Sequence, residues 1–139
     1  MATASSYEQP IFDAYRKLRA AWPQRGWSWD SRFACISSSF SVDLESKARG
    51  AAALAIPVEW APRTLASAPA YLRDVAERCG GLRSGQLLLS GTSSGRLFPF
   101  GLWWPWGDGM SISLRVGLGG ADESSEVFTR FRDLFGVSL

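Results

Sequence analysis

At 139 residues with 46% hydrophobic content, the chain fits a single domain spanning 1–139, long enough to bury roughly 68–70% of the surface its unfolded form exposes. Its net charge is +2, and its thirteen arginines and two lysines are scattered, so it lacks the basic stripe of a nucleic-acid surface. No apolar run approaches the ~18 residues of a membrane span. Neither nucleic acid nor membrane is therefore expected as a partner.

Cys35 and Cys79 lack CxxC spacing and lie in apolar contexts. They read as buried free thiols, which favours a reducing, cytoplasmic setting. The start, MATASSYEQP, has neither the basic end nor the apolar core of a signal peptide. Residues 1–8 read as disordered.

Pro10 to Trp22 follows as an amphipathic helix, with Ile11, Phe12, Tyr15, Leu18 and Trp22 at three- and four-residue spacing and Pro10 at the first helical position. Arg32 to Leu44 reads as a strand, with Ile36, Phe40, Val42 and Leu44 on one parity, interrupted by Ser38. Glu45 to Trp60 fits either an Ala-rich helix or the second arm of a hairpin turning at Ser46–Gly50. The hairpin is preferred, because Ala52, Leu54, Ile56 and Val58 alternate while the helix has an interior glycine and no large apolar face.

A second helix spans Ser67 to Cys79, with Ser67 as N-cap, a stripe of Leu72, Val75, Ala76 and Cys79, and a stop at Gly80-Gly81. Gln86 to Leu118 then reads as a three-stranded meander broken at Gly91–Gly95 and at Pro105–Gly109. In its last strand Ile112, Leu114, Val116 and Leu118 share one face. A final helix, capped by Asp122 or Ser124, carries Val127, Phe128, Phe131, Leu134 and Phe135. The expectation is an α+β domain: one antiparallel sheet of about five strands covered by helices, in the order α-β-β-α-β-β-β-α.

Gly91-Thr92-Ser93-Ser94-Gly95 matches the G-x-S-x-G nucleophile elbow, but a strand rather than a helix follows it, and the chain has no histidine to act as base. The missing histidine removes Ser-His and Cys-His nucleophiles and imidazole zinc sites. Asp108, between two glycines, reads as a turn residue. No catalytic set, cofactor site or metal site is expected, and the chain reads as a non-enzyme.

Aromatic surface remains. Seven tryptophans are many for this length, and Trp103 and Trp104, consecutive in a strand, must point to opposite faces. They cannot share a core with Trp106 in the turn. Trp103 or Trp106 is expected to be partly exposed beside arginines such as Arg96 and Arg115, the residue types enriched at binding hot spots, with Trp60 as a further contact.

The element order resembles that of roadblock and longin-like domains, a likeness of topology that rests on no diagnostic residue. It implies a homodimeric regulator of a GTPase. The leading expectation is instead a small cytoplasmic protein-binding module, an adaptor or an immunity-type protein that masks a partner. A third is a small-molecule-binding domain with an aromatic pocket lined by Trp103, Phe100 and Trp60.

Overall fold

The structure, a computed structural model, describes residues 4–137. It is α+β, with a single antiparallel sheet of six strands in the order β1-β2-β6-β5-β4-β3. The strands are β1 (Ser28–Asp30), β2 (Cys35–Ser41), β3 (Val58–Trp60), β4 (Leu87–Ser90), β5 (Phe98–Pro105) and β6 (Ser111–Gly119). The helices are α1 (Ala4–Ala21), α2 (Glu45–Ala52), α3 (Ala70–Arg78) and α4 (Glu126–Leu134). The expected elements occur in the expected order as α1-β2-β3-α3-β4-β5-β6-α4, and the short β1 and α2 are added to them.

The alternation of β6 sets the layers. Ile112, Leu114, Val116 and Leu118 join Tyr15 and Leu18 of α1, and Phe128 and Phe131 of α4, in the larger core on one face of the sheet. Full burial of each such ring or branched side chain contributes about 1.5–3 kcal/mol. On the opposite face, Leu88, Phe98, Phe100 and Leu102 pack under Leu72, Val75 and Ala76 of α3.

Glycines of β6 receive two of those rings. Gly117 pairs with Phe100 and Gly119 with Phe98, and a Cβ on Gly117 would sit 2.2 Å from the Phe100 ring. A side chain there would displace the phenylalanine.

Several sequence expectations are corrected. Residues 4–8, expected to be disordered, are helical, whereas residues 1–3 lie outside the described residues. Pro10 therefore sits inside α1 rather than at its first position, at the loss of one backbone bond. Glu8 explains the extension: it is 3% exposed, and its carboxylate accepts bonds of 2.8 and 2.6 Å from Nε and Nη2 of Arg130 on α4. That two-pronged ion pair ties the first turns of α1 to α4.

The hairpin expected over Glu45–Trp60 is largely helix. Ala48, Ala51 and Ala52 of α2 are buried and, being small, let the helix pack closely against the core, which Ala55 and Ile56 then enter. Gly50 of α2 faces open space, so it costs only its helix propensity, about 1 kcal/mol. The strand β3 does not pair with β2 but with β4, at the far edge of the sheet.

Cap positions also shift. Ser125 rather than Asp122 or Ser124 caps α4, its Oγ accepting from the Phe128 N–H, and Pro69 rather than Ser67 occupies the N-cap of α3. The Gly91–Gly95 segment joins β4 to the antiparallel β5, as the hairpin reading required.

Candidate functional site

The register of β5 separates the tryptophans. Trp103 is only 1% exposed, packed in the larger core with Phe40 at 5.4 Å and the Arg49 guanidinium 5.1 Å from its ring. The expectation that Trp103 contributes to a contact surface is thereby corrected, because α1, α2 and α4 cover the face it points to. Trp104 points to the α3 side and is half-buried.

Arg115 of β6 is also buried rather than free at the surface. Its Nε donates to Asp30 at 2.8 Å, and its guanidinium lies 4.7 Å from the Trp104 ring centre. Phe33 meets Trp104 edge-on at 5.4 Å and carries the Arg32 guanidinium 4.4 Å above its own ring. Partial burial opposes ionisation of Asp30, but the bond and charge of Arg115, aided by Arg32, outweigh it and hold the carboxyl below its ordinary range. This cluster braces one half of the sheet, and Arg115 belongs to the brace.

Trp60 is half-buried at the β3 edge, its indole N–H donating to Ser90 Oγ at 3.0 Å. Arg96 is exposed in the turn before β5, at the opposite end of that strand from Trp106, roughly 25 Å away by strand rise. The expected grouping of Trp106 with Arg96 and Arg115 therefore does not form. Nor does a pocket of Trp103, Phe100 and Trp60, since Trp103 lies in one core and the other two in the other.

What the structure does gather is the β5–β6 hairpin tip. Trp106 is 51% and Met110 68% exposed, with Val42 exposed beside them. The tip is rigidly built. Trp106 N–H donates to the Ser111 carbonyl at 2.9 Å, and Val42 N–H donates to the Met110 carbonyl at 2.8 Å.

Asp108 accepts from the N–H groups of Met110 and Ser111 at 2.8 and 3.0 Å, bonds that hold its carboxyl below the ordinary range. Its role is that of a turn residue, as its setting between glycines indicates. The left-handed backbone at Gly109, φ +68°, completes the turn.

Compared with known proteins, the chain matches no family model, curated protein or solved structure.

Met110 and Val42 escaped sequence reasoning for different reasons. Met110 follows Gly107-Asp108-Gly109, and an apolar residue directly after such a turn was the available signal. Val42 reads by parity as a core-facing strand residue, yet β2 ends at Ser41, whose Oγ caps a 3-10 turn over Val42–Leu44 by accepting from Asp43 N–H. The turn carries Val42 out to the hairpin tip.

Proposed function

We propose that the protein is a non-enzymatic protein-binding module, an adaptor or an immunity-type protein, whose contact centre is Trp106 with Met110 and Val42. The observation that carries this reading is the exposure of Trp106 and Met110 on a tip pinned by backbone bonds and by Asp108. A large ring held in place loses little freedom on binding, and tryptophan is among the side chains that most often dominate binding energy. The tip holds this one ring outward, with Met110 and Val42 exposed next to it.

Asp43, next to Val42, and Asp108 give the patch an acidic border. The complementary partner surface is an apolar slot flanked by lysine or arginine. Both sheet edges, β1 and β3, have three residues and offer little backbone for an added strand. That favours the tip over a sheet edge as the contact.

Capture from a lysate of the source organism tests the reading, comparing wild type with Trp106→Ala and Met110→Ser. A specific protein is expected on wild type and to weaken by at least about tenfold, or 1.4 kcal/mol, on Trp106→Ala. Absence of any specific partner, or equal capture by both variants, counts against it. Arg115→Ala is unsuitable here because the residue is structural.

A further inference from the structure

A recess of about 290 Å³ lies where the turn after β1 meets the loop after α3, lined by Arg32, Phe33, Cys79, Arg83, Gln86 and Trp104. It is separate from the hairpin tip. Its side chains share one chemical property: each polar group offers protons.

Arg32 and Arg83 are guanidiniums, which only donate. Gln86 spends its carbonyl oxygen on the Arg83 backbone N–H at 2.8 Å, which leaves its NH2 as the free end. The indole N–H of Trp104 is buried and has no hydrogen-bond partner among the described residues. Burial holds the Cys79 thiol above its ordinary range, so it stays a neutral S–H.

Among the described residues no carboxylate lines the recess. Asp30 pairs with Arg32 only loosely, at 3.9 Å, and gives its closer bond, 2.8 Å, to Arg115. At the end of α3, where free carbonyls would favour a cation, those of Val75, Ala76 and Glu77 accept from the N–H groups of Cys79, Gly80 and Gly81.

The aromatic walls are fixed before any ligand arrives. Trp104 is held by the Arg115 guanidinium on its face and by Phe33 at its edge, and Phe33 by Arg32. Such a volume is at the lower limit of small-molecule pockets, enough for one ring with a charged head.

From this lining of donor side chains we infer that the recess binds a small single-ring molecule through its oxyanion group, a carboxylate or phosphate. The anion sits between Arg32 and Arg83, and the ring packs against Phe33 and Trp104. Arginine suits both head groups because its planar fork matches two oxygens at once.

The test follows the seven indole N–H signals of the protein by nuclear magnetic resonance during titration with benzoate, phenyl phosphate, inorganic phosphate and benzylammonium. Benzoate or phenyl phosphate is expected to move the Trp104 signal saturably and to leave that of Trp106 in place. The tighter of the two names the head group. Arg83→Gln and Arg32→Gln should each weaken binding at least about tenfold, and Arg83→Gln, which lies outside the brace around Asp30, should do so without moving the urea midpoint.

Three results would overturn the inference: no response of Trp104 to either aromatic anion, an equal response to benzylammonium, or wild-type affinity in both arginine variants. A response to inorganic phosphate as strong as that to phenyl phosphate would overturn the role given to the ring.

Discussion

Arg115 on β6 reaches across the intervening strand β2 to bond Asp30 on the edge strand β1, Nε to Oδ2 at 2.8 Å. With three residues, β1 has little ladder of its own, so this ion pair fastens the sheet edge to its centre. Both side chains are mostly shielded, at 7% and 16% exposure, and removal of one partner leaves the other charge desolvated.

Arg115→Ala is expected to destabilise the protein by about 3 kcal/mol in urea unfolding, and Arg115→Met by less, since it keeps the packing on Trp104. Equal stability of Arg115→Ala and wild type would show that the pair carries no weight.

The same pair sets an acid limb. Because the Asp30 carboxyl is held below its ordinary value of 3.8, its ionised form stabilises the fold above that pH. The contribution disappears as pH falls from 3.8 through the lower folded value. Stability measured from pH 7 downward should drop in that window, and Asp30→Asn, less stable at neutral pH, should show a shallower drop there. Parallel curves for the two proteins would refute it.

Trp103 and Trp106 should separate stability from binding. Trp103→Ala opens a cavity in the larger core and is expected to cost about 3–5 kcal/mol. Trp106→Ala, at an exposed tip, should stay within about 0.5 kcal/mol of wild type. Chemical denaturation checks both, and a large loss at Trp106 would mark it as structural.

Tyr15 supplies a further check. Its hydroxyl, on a fully buried ring, lies 2.6 Å from the Gly117 carbonyl and 3.1 Å from that of Phe100, sharing one proton between them. Burial raises its pKa, so the phenol stays protonated and donating. Tyr15→Phe leaves these carbonyls short of a donor and should cost about 1–3 kcal/mol, read as a shift of the urea midpoint at unchanged slope.

Much of this architecture was legible because it follows from period-2 alternation. Ile112 to Leu118 announced the two faces of β6, and Trp103-Trp104 could only split between cores. Glu45–Ala52 misled because the buried face of α2 is alanine, which has no hydrophobic bulk to register at helical spacing, while Leu54, Ile56 and Val58 mimicked a strand. Glu8 was hidden by distance, since its partner Arg130 is 122 residues away. Arg115 misled in the opposite sense: an arginine on the polar face of β6 suggests solvent, and only the fold brings Asp30, Phe33 and Trp104 around it.

The central claim is that the Trp106–Met110 tip is where a partner binds. The most direct measurement places a photo-crosslinking amino acid at position 110 and, in a second variant, in place of the exposed Tyr71 of α3, then identifies adducts formed in cells of the source organism. One protein joined through position 110 and absent from position 71, with the adduct lost on Trp106→Ala, is the predicted result. Adducts formed equally from both positions, or only from position 71, would contradict it.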